Sequence, residues 1–171
     1  YQSAQLYDDN VMNPGLPSTY AFVARVIGEV AAMHHAAGVP LRTVHVGGDE
    51  LPAGAWEQSP ACALLMRREH LASRAELWEY FYTRVEHVLR RQELSASGWE
   101  ELGTLQQQRD GAEQVLPNPH LLGRGYTLYV WRNIEGAEDL AYRLANAGYD
   151  TVLAPATRAY LDLTPYPDPA E

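Results

Sequence analysis

The chain has 171 residues, 46% of them hydrophobic, and a formal net charge of −9 at pH 7. That length suits one globular domain with a real hydrophobic core, while the acidic balance excludes a broad surface for nucleic acid or anionic membrane, which needs clustered Lys and Arg. A lone cysteine, Cys62, excludes an intrachain disulfide, and no apolar run is long enough to insert across a bilayer.

The chain opens on Tyr1 rather than Met, so the true N-terminus is expected to lie elsewhere. Residues 1 to 17 are polar and turn-rich and read as an ordered loop. Ser18 or Thr19 can cap a helix in which Phe22, Val26, Ile27, Val30 and Met33 recur at helical steps, until Gly38 and Pro40 stop it. Thr43 to Val46 is a β-branched run that reads as a buried strand, ending at Gly47-Gly48. Ser73 and Glu76 announce a second helix as a capping box, and Leu77, Tyr80, Phe81, Val85, Val88 and Leu89 supply its apolar face. Leu94 to Ser97 and Tyr126 to Val130 read as strands, Glu138 to Ala147 as a helix closed by Gly148, and Thr151 to Ala154 as another strand. The stretch from Leu105 to Leu122, with its Gln run and two prolines, is the most loop-like interior segment.

Strands separated by helical crossovers form parallel sheets, so the fold class is α/β. Periodicity leaves two architectures open, a small doubly wound sheet and part of an eight-stranded barrel. A doubly wound domain usually carries a Gly-rich turn that runs straight into a helix. Here the glycines precede two carboxylates and then Pro52, which suits an active-site loop better than a phosphate cradle.

His45-Val46-Gly47-Gly48-Asp49-Glu50 is the most informative segment. A strand ending in two glycines lets the backbone bend sharply, so that adjacent carboxylates emerge at the carboxyl end of the sheet, where α/β ligands bind. Adjacent acids repel, and in a poorly solvated pocket one of them is kept protonated and can act as a general acid. The competing reading is a solvated loop pair, and the residues alone leave the two about even. His45 reads as a satisfied core histidine, since on an extended strand it lies about 13 Å from Asp49 at ~3.3 Å per residue, too far for a shared metal.

Trp99, Trp131 and Tyr160 with Asp162 follow three further strand ends. Aromatic faces stack on sugar rings and a carboxylate accepts hydrogen bonds from sugar hydroxyls. Each tryptophan also has a core reading; Trp78, inside an apolar helix pattern, is expected to be core, and Trp56 is open.

Together these residues resemble family 20 β-N-acetylhexosaminidases, including the bacterial chitobiases. The resemblance rests on His45 to Glu50 with Trp56 downstream, on Asp9-Asn10-Val11 and Asn13-Pro14, on Gly98-Trp99-Glu100-Glu101, on Val130-Trp131 and on Ala159-Tyr160-Leu161-Asp162, in the expected order. It implies that residues 1–171 are a partial catalytic domain, part of a (β/α)8 TIM barrel and approximately its strands four to seven, since a whole barrel needs about 250 residues. It also implies a periplasmic or secreted enzyme.

The same resemblance implies a retaining reaction in which the substrate's own 2-acetamido oxygen is the nucleophile. Glu50 would be general acid and base, Asp49 would orient the acetamido N–H and offset its growing charge, and Tyr160 would hydrogen-bond the acetamido oxygen. Trp99 and Trp131 would wall the sugar pocket and Asp162 would bind a distant hydroxyl. The partner would be an N-acetylhexosamine-containing oligosaccharide or glycoconjugate, with no metal or organic cofactor. A glycan-binding module or degenerate barrel without activity, and an unrelated doubly wound hydrolase with Asp49 as nucleophile, remain the competing readings.

Overall fold

Proline decides where the first helix begins. Helix α1 spans Pro17–Ala36 with Leu16 before it, because the fixed φ and missing N–H of Pro17 suit a first helical position. The start therefore falls ahead of the expected cap at Ser18 or Thr19, and the Thr19 hydroxyl instead donates to the Asn13 carbonyl at 2.7 Å. The computed structural model describes residues 11–109, 112–134 and 136–161, with the side chains of 107–109, 112 and 113 excepted. Asp9, Asn10 and Asp162 lie outside these residues. The chain divides into two compact units, one from Tyr1–His45 and Glu50–Ala96, the other from Val46–Asp49 and Ser97–Glu171.

In the first unit α1 is joined by strand β1 (Thr43–His45) and helices α2 (Pro60–Glu69) and α3 (Arg74–Arg90). Ser73 caps α3 as expected, its hydroxyl accepting from the Glu76 amide at 3.1 Å. The return bond of the capping box is displaced by one residue, the Glu76 carboxylate accepting from the Ala72 amide. Leu77, Phe81, Val85, Val88 and Leu89 are buried and Tyr80 is half-buried, so the expected inner face of α3 is the actual one except at its Tyr80 margin. Helix α2 was not foreseen. Its signal is Ser59-Pro60, a cap whose hydroxyl accepts from the Cys62 amide, followed by a proline at the first turn.

A core cluster of Ala55, Trp56, Cys62, Leu65 and Leu77 holds this unit, with half-buried Trp78 packed against it. Trp78 lies 4.6 Å from Tyr82 and 6.2 Å from Trp56, centroid to centroid. Trp56 is thus a core residue, and its indole N–H donates to the Met12 carbonyl. Asn13 ties the entering chain to the same core, its amide donating to the Ser59 hydroxyl and its oxygen accepting from the Cys62 thiol.

Two expectations fail here. Ile27 is buried, yet Phe22, Val26 and Met33 of the expected α1 face are 57%, 44% and 62% exposed, so only part of that face is covered. His45 is exposed rather than a core histidine, and β1 is the outermost of the strands that these residues form.

The second unit is a parallel α/β layer. Strands β2 (Ser95–Trp99), β5 (Thr127–Val130) and β6 (Asp150–Leu153) pair in parallel, Gly98 opposite Leu128 and Tyr129 opposite Val152. Helix α4 (Leu140–Ala147) packs on β6 through buried Leu140 and Leu144, and Gly148 closes it at φ 105°. The strand order here is β2-β5-β6, with a hairpin between β2 and β5 and α4 between β5 and β6, and this is the expected α/β class. The segment expected to be loop is instead an antiparallel hairpin of β3 (Thr104–Arg109) and β4 (Ala112–Pro117). Asp110-Gly111 between the two runs was the overlooked signal.

Each unit leaves apolar groups in water, Phe22 and Met33 in the first and Leu153, at 64% exposed, in the second. Exposed apolar surface beside open strand edges promotes association. Expressed alone, the 171-residue chain is expected to self-associate and to bind a hydrophobic dye, and sedimentation showing a stable monomer would contradict this.

Candidate active site

The turn after β1 is shaped by close approach. Gly47 and Gly48 both have positive φ, 76° and 110°, conformations that side chains resist. Gly98 on β2 faces the same constriction, because a Cβ there would lie 2.6 Å from the Gly47 carbonyl oxygen. The Trp99 amide donates to that oxygen at 2.9 Å and the Val46 amide to the Ser97 carbonyl. The diglycine thus lets the chain run on beside β2 and then turn outward, leaving Asp49 exposed.

Glu50, the next residue, belongs to the first unit and is also exposed. Its backbone sits at φ 49°, in the left-handed region that a non-glycine residue adopts at some cost. Such conformations cluster at functional sites. In the loop that follows, the Pro52 carbonyl accepts from the Arg74 guanidinium at 3.0 Å.

Within the second unit the other three aromatic residues of the expected site, Trp99, Trp131 and Tyr160, lie at the end of β2, after β5 and after the short helix that follows β6. Half-buried Trp99 closes β2 and meets Tyr129, its register partner on β5, edge to face at 6.4 Å. Trp131 follows β5 and lies nearly parallel to Tyr160, centroids 6.3 Å apart and planes 18° apart. That meeting is built by the backbone. The Ala156 amide donates to the Trp131 carbonyl, and Asn133 exchanges hydrogen bonds with Thr157, which ties the loop after β5 to the short helix α5 (Ala156–Ala159) just before Tyr160. Trp99 and Trp131 therefore have different ring neighbours, and Asp162 lies outside the described residues.

The residues that sequence reasoning did not single out are Glu100, Glu101 and Arg132. Glu100 is 1% exposed, and its carboxylate accepts from the amides of both Trp131 and Arg132, at 2.9 and 3.2 Å. Burial pushes its carboxyl above the ordinary range, while these amides pull it back. Glu101 accepts from the Trp131 indole N–H at 3.3 Å and pairs with Arg132 at 3.4 Å. Burial, and then the neighbouring Glu100 charge, push its carboxyl from 4.5 up to about 7. The signal was the Glu-Glu pair at the end of a strand, whose targets lie some thirty residues away.

The Glu101 displacement is also a statement about stability. Its folded-state value exceeds its unfolded one, so the fold binds the proton more tightly, and stability falls as pH rises from about 4.5 to about 7 and then levels off. At about 1.4 kcal/mol for each tenfold change in acidity, the cost approaches roughly 3 kcal/mol. Glu101→Gln is expected to gain stability over the parent protein at pH 8 and not at pH 4, measured by denaturant unfolding of the full-length protein. A gain independent of pH would contradict the assignment.

No group of three His, Cys, Asp or Glu side chains suited to a metal ion occurs among the described residues. No helix there is long and apolar enough to cross a membrane.

The family profile of the glycosyl hydrolase family 20 catalytic domain matches residues 1–171. A β-hexosaminidase of Vibrio vulnificus is 32% identical over 175 residues, covering 100% of this chain and 20% of that protein. A β-hexosaminidase of Vibrio furnissii is 33% identical over 163 residues, covering 95% of this chain and 23% of that protein. The crystal structure of the family 20 exo-β-N-acetylglucosaminidase of Vibrio harveyi, in complex with N-acetylglucosamine, superposes with a TM-score of 0.75 at 35% identity, over 96% of this chain and 22% of that one. The chain thus spans about a fifth of the curated relatives it matches, and its parallel α/β layer corresponds to part of a barrel. A match along its entire length places the chain in glycosyl hydrolase family 20.

Proposed function

We propose that the full-length protein removes terminal non-reducing β-linked N-acetylhexosamine, GlcNAc or GalNAc, from oligosaccharides or glycoconjugates, with retention and with assistance from the substrate's acetamido group. The observation that carries the reading is the turn Gly47-Gly48-Asp49-Glu50 in a chain of this family, where two glycines at positive φ deliver adjacent carboxylates beyond a strand end.

Glu50 protonates the departing glycosidic oxygen and later takes a proton from water. Asp49 accepts from the acetamido N–H, which turns the acetamido oxygen toward the anomeric carbon and offsets the charge growing on nitrogen. Tyr160 donates to that oxygen from the other side. Trp131, stacked on Tyr160, offers an apolar wall to the acetamido methyl and sugar ring, and Trp99 a second one. Asp162 takes a hydroxyl remote from the cleaved bond.

Substrate assistance gives a direct test. Aryl N-acetyl-β-hexosaminides should be cleaved and the matching aryl β-glucosides, which lack the attacking oxygen, barely touched. Comparable rates on both sugars, or glycan binding with no hydrolysis, would overturn the reading.

A further inference from the structure

Trp131 is held at two points by consecutive carboxylates. Glu100 fixes its backbone amide, and Glu101 reaches its indole nitrogen. With the backbone pinned, the side-chain torsions decide where the ring plane lies, and the indole has a single N–H with which to be aimed. Tyr160 stacks near that ring and the Arg132 guanidinium lies 5.5 Å from its centroid. The two oxygens of Glu101 are divided, Oε2 to the indole and Oε1 to Arg132. The ion pair at 3.4 Å and the indole bond at 3.3 Å are both long beside the 2.7–2.9 Å of a tight charge-assisted bond. What separates them is the donor: a guanidinium has five N–H groups to place, and the indole has one.

We propose that Glu101 is a positioning residue that sets the plane of the Trp131 indole, acting through the indole hydrogen bond rather than through Arg132. The inference rests on the reading of Trp131 as a sugar-facing wall. The carboxylate is costly where it stands, only 18% exposed and beside a second buried acid. An apolar residue of the same size would avoid that cost and would leave the indole free to turn. Residues that lower stability while fixing a neighbour's geometry belong to functional sites.

Two substitutions separate the hydrogen bond from the ion pair. Glu101→Met and Glu101→Gln both remove the charge facing Arg132, but only Gln keeps an oxygen that accepts from the indole. In the full-length protein, Glu101→Met is expected to raise KM for an aryl N-acetyl-β-hexosaminide about tenfold, with kcat little changed, as loss of uniform binding does. Glu101→Gln should stay within about threefold of the parent. In a Trp131→Phe background, Glu101→Met should add no further loss. The indole N–H resonance of Trp131 in a ¹⁵N-tryptophan spectrum should move in Glu101→Met and stay near its place in Glu101→Gln.

Equal losses for Met and Gln, or a full additional loss in the Phe background, would overturn the proposal. So would an indole resonance that ignores Glu101→Met. The spectrum needs no turnover, so a protein inactive on N-acetylhexosaminides would defeat the proposed function while the indole signal still reports on the Glu101 bond.

Discussion

Glu50→Gln in the full-length protein is expected to lower hydrolysis of N-acetylhexosaminides with poor leaving groups about 100- to 10,000-fold, the usual contribution of a positioned general acid. The same change should largely spare substrates that release an activated phenol. The reason lies in the leaving oxygen. An alkoxide-like group needs a proton as the bond breaks, whereas a nitrophenolate carries the charge itself. Glutamine keeps the shape and length of glutamate, so the left-handed backbone at this position meets no new strain. Unfolding curves of variant and parent should therefore coincide, which separates a chemical loss from a structural one. Hydrolysis measured on a disaccharide and on a nitrophenyl glycoside decides the matter. An equal fall on both would mean that Glu50 serves binding or folding rather than proton transfer.

How legible this was in advance depended on how local each interaction is. The cap of α3 at Ser73, the closure of α4 by Gly148 and the strands ahead of Trp99 and Trp131 are specified by neighbouring residues, and all occur. The diglycine was read as a bend, and the structure adds its cause, the approach of the Gly47 carbonyl to Gly98. His45 defeated the reading because the burial of a strand depends on its neighbours in the sheet, and in this part of a barrel β1 has a strand on one side only. The β3–β4 hairpin was hidden by its polar composition, although Asp110-Gly111 marked it. Glu100 and Glu101 were visible only as part of a family pattern. Their partners at Trp131 and Arg132 are brought near by the pairing of β2 with β5, and no local spacing reveals that.

The reading of Asp49 makes a demand that no general binding role would. If the substrate's acetamido oxygen attacks the anomeric carbon, a ring forms with positive charge spread onto nitrogen, and Asp49 is the carboxylate assigned to that charge. A stable thiazoline, which copies the ring, is then expected to bind at least 100-fold more tightly than the product sugar, as mimics of transition states and intermediates do. Asp49→Asn should remove most of that advantage, since a neutral amide cannot offset the charge. Loss of such a preorganised group costs about 100- to 1,000-fold in rate. Tyr160→Phe should weaken thiazoline binding less, because it removes one donor and leaves the ring stacked beside Trp131. The measurement is inhibition by thiazoline and by product, in parent, Asp49→Asn and Tyr160→Phe proteins of full length. If thiazoline bound no better than product, or if a glycosyl ester were trapped on either carboxylate, the nucleophile would belong to the protein. Asp49 would then be its nearest source, since it and Glu50 are the two acids at the diglycine turn and Glu50 is already needed as the proton donor.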